Sequence, residues 1–195
     1  MSAPSAARNI APILQALGAH VPSGGRALEI ASGTGEHVLA FAHRFPDVEW
    51  HPSDIAADRL ASIEAWRASN PAPNLHPARY LDATGPQADL EGFDLLIIVN
   101  LLHLVPAEGA QRIIETVARA LSVGGRFFLY GPFRVDGQFR GAGDAAFHAR
   151  LSESDPAIGY KDLEWVTQTC AQAGLEQVDL IEMPANNLTF VARRL

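Results

Sequence analysis

Apolar positions along this chain alternate between two periods, and the alternation predicts helix and strand in turn. Residues 1–7 carry no pattern and are expected to be disordered or loosely attached. Ile10, Ile13, Leu14 and Leu17 recur at helical spacing and predict a helix over 9–17, with Pro12 in its first turn or interrupting it. Gly18 and the VPSGG segment lead into a first strand ending near Ile30, and helical periodicity resumes over 36–45. A short strand over 47–51, a helix over 58–69 with Leu60, Ile63, Ala65 and Trp66 on its apolar positions, the turn-rich NPAPN and a third strand within 75–81 follow. The segment 85–92 reads as a loop with Asp89 and Glu91 in solvent.

Phe93–Val99, FDLLIIV, is apolar almost throughout, the mark of a parallel strand buried on both faces. A helix over 107–121, a turn at SVGG and a strand over 126–130 come next. From 133 to 159 the periodicity weakens over a stretch too long for a tight connection, with a short helix over 144–151 turning Phe147 and Leu151 inward. A helix over 161–173 and two strands, 176–182 and 188–192, separated by MPANN, complete the pattern. Strands alternating with helices imply one α/β domain over 1–195 with a mostly parallel sheet, closed by an antiparallel hairpin. Within it, 1–25 forms an N-terminal segment that could serve as a lid, and 133–159 an insertion able to cover a substrate.

Composition narrows the function classes. A chain of 195 residues holds one full core and is short for two. A net charge of -7 without a basic cluster disfavours a broad nucleic-acid footprint. The single Cys170 gives neither a disulfide framework nor a CxxC metal motif and is expected on the buried side of a helix. No apolar run is long enough to span a membrane and MSAPSAARN has no hydrophobic signal core, so a cytoplasmic location is the default expectation.

The candidate chemistry centres on RALEIASGTG, Arg26 to Gly35. Here a strand breaks into small residues and two glycines, and a helix then opens with unpaired N–H groups. Gly33 and Gly35 leave no Cβ between backbone and ligand. A phosphate-binding P-loop would need Lys and Ser or Thr where Glu36 and His37 stand. A pyrophosphate would not suit Glu29 near the strand end, whereas a ligand carrying a cation or several N–H donors would; S-adenosyl-L-methionine fits better than NAD. Asp54, after the second strand, is placed for ribose hydroxyls or, more simply, for capping a helix. Asp82, at the end of the third strand, could accept the adenine amino hydrogen bond or merely sit in a solvent-facing loop. Trp66 reads as packing rather than as an adenine platform. Beyond FDLLIIV stand Asn100 and His103, at the end of the sheet where open α/β folds place their chemistry; His103 serves equally as a structural histidine.

Taken together, LEIASGTGEH, WHPSD, SIEAW, YGPF and the terminal MPANNLTF resemble the DUF938 or UPF0585 family of class I methyltransferase-like proteins, and are similar to the methyltransferase-like 26 proteins of animals. The resemblance extends from the ARN at Arg8 through Arg194. It implies a Rossmann-like sheet of seven strands in the order 3-2-1-4-5-7-6. By the same resemblance Glu29, Ala31, Gly33 and Gly35 form the S-adenosyl-L-methionine loop, Asp54 the ribose position, Asp82 the adenine side and Asn100 the cofactor rim. Ala31 stands where the commoner pattern has its first glycine. Arg8 and Asn9 match an N-terminal family motif, and Asn186 and Asn187 a C-terminal one; these four become candidate substrate contacts. The chain departs from the family pattern at Ala107, at Gly143, Asp144 and His148, and at Ile158 to Asp162, all outside the cofactor loop.

The implied reaction is methyl transfer to a small molecule, for which proximity and in-line orientation supply much of the rate. His103 is the first candidate for an acid-base group, Tyr130 for orienting the acceptor, and Arg134 for an anionic substituent. Asp144 and His148 share helical spacing but are too few to name a metal site, so none is assigned. A noncatalytic S-adenosylmethionine-binding sensor or interaction module is the alternative, distinguished by cofactor binding without turnover. An NAD-dependent oxidoreductase is disfavoured by Glu29 and the terminal strands.

Overall fold

The computed structural model describes residues 1–85 and 90–195. Asp89 therefore lies outside the described residues. The chain runs α1 (Pro4–Leu17), β1 (Gly25–Ile30), α2 (Glu36–Arg44), β2 (Val48–Asp54), α3 (Ala57–Ser69), β3 (Arg79–Tyr80), β4 (Phe93–Val99), α4 (Ala107–Ala120), β5 (Leu121–Arg134), α5 (Ala142–Ser154), β6 (Lys161–Asp162), α6 (Leu163–Gln172), β7 (Leu175–Glu182) and β8 (Asn187–Arg194). The strands form one sheet in the order β3-β2-β1-β4-β5-β8-β7, parallel except for β8, which runs antiparallel to both β5 and β7. Without the two-residue β6, which pairs with the far end of β5, this is the expected 3-2-1-4-5-7-6 order.

The sheet buries both faces because its central strands are apolar on both sides. Leu28, Ile30, Leu96 and Ile98 face Ile113 and Val117 of α4 and Val166 and Cys170 of α6. Ala27, Leu95, Ile97 and Phe128 face Ile13 and Leu17 of α1 and Val38 and Phe41 of α2. Each fully buried Phe or Leu removed from water in this way contributes roughly 2 kcal/mol. Burial also pushes the Cys170 thiol up to about 12. Among the described residues, no helix is long and apolar enough to cross a membrane.

Several boundaries differ from the sequence expectation. Helix α1 begins at Pro4 rather than Asn9, so Pro12 lies inside it. The first residues are fastened rather than loose. The Ala3 N–H donates to Glu36 Oε2 at 2.7 Å, and Trp66 Nε1–H donates to the Met1 carbonyl at 2.9 Å. The third strand shrinks to Arg79–Tyr80. SVGG is not a turn: β5 runs through it, with positive φ at Gly124 and a register shift against β4 between Phe93 and Leu95. Helix α5 extends well beyond 144–151 in both directions. Lys161 and Asp162 pair with Phe133 and Arg134 as strand, delaying α6 to Leu163.

Candidate functional site

At the carboxyl ends of β1, β2 and β4, where adjacent parallel strands part around the sheet's switch point, a cavity of about 690 Å³ opens. Its floor is the turn after β1. Ala31 and Gly33 both take left-handed backbone (φ 56° and 57°), although Ala31 carries a Cβ that makes this conformation costly. Two serines hold the turn against β2: the Ser32 N–H donates to the Ser53 carbonyl at 2.8 Å, and Ser53 Oγ donates to the Glu29 carbonyl at 2.8 Å. Glu36 accepts from Thr34 Oγ1 at 2.7 Å on the same oxygen that receives Ala3, so the loop and the amino-terminal segment share one anchor.

Glu29 lines the cavity at 1% exposure, and its Oε2 has no hydrogen-bond partner. Burial holds its carboxyl up to about 7, with the nearby Asp54 charge acting in the same direction and Ser32 opposing. Asp54 also lines the cavity. Its two oxygens accept from the Gly33 and Ala56 N–H groups, each at 2.9 Å, and each retains capacity for another donor. Asp54 does not cap α3, whose N-cap is Ala56 without a side-chain bond; its contact with the Ala56 N–H closes a turn ahead of the helix and leaves acceptor capacity toward the cavity. Beside it, Ile55 presents an apolar side chain at 55% exposure to the same space. A Cβ added to Gly33 would meet nothing within 4 Å and would project into the cavity floor. Gly35 serves another purpose, because a Cβ there would strike Ile63 at 3.0 Å. Its lack of a side chain lets α2 and α3 approach, and it does not line the cavity.

The other sequence candidates divide. Asn100, at φ 57°, and His103 line the cavity, as does Asn187. Burial, with the Lys161 charge adding to it, pushes the His103 imidazole down to about 4, so it is neutral near pH 7. Tyr130 is buried beneath the lining; burial raises its hydroxyl, and its partner is Asn9. Asn9 in turn lies 2.9 Å from His37 Nε2, a link that ties α1 to α2. Arg134 turns away to pair with Asp162 at 2.7 Å and packs over Phe139. Arg8 is exposed. Asn186 donates to Asp144 at 3.1 Å. Asp82 accepts from the Thr84 N–H at 3.0 Å and from its hydroxyl at 2.6 Å, which holds its carboxyl below the usual range and orders the turn after β3. None of Tyr130, Asn9, Arg134, Arg8, Asn186 and Asp82 lines the cavity.

Sequence reasoning missed His37, Phe147 and Tyr160 as parts of the lining. His37 stood directly after the glycine loop, on the first turn of the helix, and that position was the available signal. Its imidazole is pushed down to about 4 by burial. Phe147 was expected to turn inward on its helix, which marked it for packing and not for a cavity, and Tyr160 lies just past the insertion, where no periodicity pointed to it. Asp144 and His148 do not converge as a pair of ligands: Asp144 Oδ1 accepts from the Tyr160 hydroxyl at 3.3 Å, and His148 Nδ1 accepts from its backbone N–H at 3.0 Å.

A family model described as "Protein of unknown function (DUF938)" matches residues 1–194. The chain belongs to the DUF938 family. Solved structures place this DUF938 chain among proteins of the class I methyltransferase, Rossmann-like fold. An O-methyltransferase family protein from Burkholderia thailandensis superposes with TM-score 0.82 at 15% identity, covering 97% of this chain and 57% of its own. An O-methyltransferase family 2 protein from Planctomyces limnophilus in complex with apigenin gives 0.81 at 18%, covering 98% and 60%. PigF with SAH gives 0.82 at 17%, covering 97% and 56%. The chain thus spans somewhat more than half the length of these neighbours, and the likeness at such identities is one of fold.

Proposed function

We propose that this DUF938 protein binds S-adenosyl-L-methionine and transfers its methyl group to a small molecule. The observation that carries the reading is the buried Glu29 carboxyl on the floor of a glycine-turn cavity, whose Oε2 has no partner. A carboxylate in such a place calls for a donor-rich or cationic ligand group. The residues present fit the cofactor: Glu29 for its amino group, Asp54 for the ribose hydroxyls, Ile55 for a face of the adenine, and Gly33 for close approach of the backbone. When bound, the cofactor supplies an electrophilic methyl group on a sulfonium.

The chain's own contribution is position. The 102–104 turn and Asn187 flank the space above the cofactor, and the neutral His103 can accept a hydrogen bond from an acceptor hydroxyl, amine or thiol. An imidazole held this far below its ordinary value is a weak base, so orientation is its main role and proximity carries the rate. Ala3 and, on α1, Ala6 line the amino-terminal side of the cavity and would limit the entry of water. The fold relationship to proteins named as O-methyltransferases supports the same reading.

The deciding experiment incubates the protein with S-adenosyl-L-methionine and a fractionated extract of small metabolites, and follows products by mass spectrometry against a Gly33→Arg control. A species heavier by one methyl group, absent from the control, is expected. Cofactor binding with no turnover across the extract would instead favour a noncatalytic sensor, and absence of binding by the folded protein would end the methyltransferase reading.

A further inference from the structure

The acceptor end of the cavity is built of rings. His103, Phe147 and Tyr160 stand in a mutual edge-to-face triangle, with centroids 5.9 Å apart for His103 and Phe147, 6.1 Å for His103 and Tyr160, and 6.2 Å for Phe147 and Tyr160. All three line the cavity, with Pro132 and Leu104 beside them. The Tyr160 hydroxyl is committed to Asp144, so what it offers to the cavity is ring.

Among the described residues, no charged side chain lines the same end. The charged side chains among the described lining residues are Glu29, Asp54 and Arg59, all on the side of the glycine turn and of the β2–α3 connection. The cations near this end do not line the cavity, although exposed Arg150 stands over the Phe147 ring, its guanidinium 5.6 Å from the centroid. Arg134 pairs with Asp162, Arg140 pairs with Glu182, and Lys161 Nζ donates to the Val105 and Gly159 carbonyls at 2.8 Å each. An anionic substituent brought here would be desolvated without a counterion. A cationic one would face the positive sulfonium that the proposed cofactor presents.

We propose that the acceptor is an uncharged aromatic small molecule, seated against the ring triangle of His103, Phe147 and Tyr160. This rests on the methyltransferase reading for its assignment of the two ends of the cavity. Edge-to-face packing against three rings selects a flat apolar body, and the His103 imidazole and the Asn187 amide supply the polar contacts that orient it.

The test measures binding of three probes of similar size, p-cresol, benzoate and benzylamine, to the protein loaded with S-adenosylhomocysteine, by calorimetry and ligand-observed NMR. Neutral p-cresol is expected to bind at least about tenfold tighter than either charged probe. Phe147→Arg is expected to weaken p-cresol and strengthen benzoate. Leu104→Arg, at a more exposed lining position, provides the same reversal should the first variant not fold. Equal or tighter binding of benzoate or benzylamine to the unaltered protein, or no binding of p-cresol, overturns the proposal. Binding of S-adenosylhomocysteine is measured separately. If it binds and p-cresol does not, the aromatic acceptor is wrong and the cofactor reading stands. If p-cresol binds and S-adenosylhomocysteine does not, the cofactor reading fails instead.

Discussion

Gly33 and Gly35 lie two positions apart in one turn, yet their environments set opposite expectations for the same substitution. Gly33→Ala meets no atom, so it costs only the left-handed strain of about 1 kcal/mol, while its new methyl stands on the cavity floor. The expected outcome is a folded protein whose affinity for S-adenosylhomocysteine falls, read by calorimetry. Gly35→Ala adds a clash with Ile63 to the strain at φ 92°, and about 2–4 kcal/mol of stability should be lost in urea denaturation. The presence of glycines was legible in the sequence; their division of labour was not, because the Ile63 contact comes from α3, 28 residues onward. Glu29 was legible because a carboxylate inside an apolar strand is unusual in any fold. Arg134 was not, since its partner Asp162 is brought to it by the pairing of β6 with β5.

At the scale of the elements, the sequence misled where local preference and tertiary context disagreed. Glycines at SVGG favour a turn, but β4 provides a partner for the strand on both sides of the bulge, and the backbone freedom is spent on that irregularity. Residues 1–7 look unattached because nothing in their own pattern is apolar enough to pack, and their partners, Glu36 and Trp66, are supplied by α2 and α3. Glu36→Ala removes both the Thr34 and the Ala3 bonds. Cleavage by trypsin after Arg8 should therefore quicken severalfold, with little change in global stability; an unchanged rate would mean that α1 is held by its apolar face alone. Lys161 is the other junction, joining the segment after β4 to the segment before β6 through two carbonyls. Its replacement by Met should cost about 2–3 kcal/mol in urea denaturation, because two acceptors lose a charged donor.

Across the whole molecule, the site assembles residues from both termini and from the insertion, and that convergence was visible only as a fold. Strand order could be expected from the resemblance to methyltransferase-like proteins, whereas the ring triangle could not. The same assembly governs pH dependence. His37 and His103 are each held down to about 4 from 6.5, so the folded state resists protonating them; their contribution is complete above pH 6.5 and is lost as pH falls toward 4. Glu29 has the opposite sign: held up to about 7, it contributes fully below 4.5, and the contribution, about 3 kcal/mol, is lost as pH rises through 7. Between 4.5 and 6.5 these two histidines, with His51, which burial also holds down to about 4, outweigh the one carboxyl, so stability should rise with pH, then decline slightly toward 7. Glu29→Gln removes the opposing slope. Urea denaturation at intervals across this range should show steeper acid destabilisation in that variant than in the unaltered protein.

Cys170 is the only thiol in the chain, fully covered by the packing of α6 on the sheet and held in its protonated form. It should stay silent toward an alkylating dye as long as that packing holds. A second cysteine placed at exposed Ala185, on the cavity rim, would then take the label alone, without removal of the natural residue. The protein thus carries a built-in blank for fluorescence at its own binding site, and slow labelling of Cys170 becomes a clock for the opening of its core.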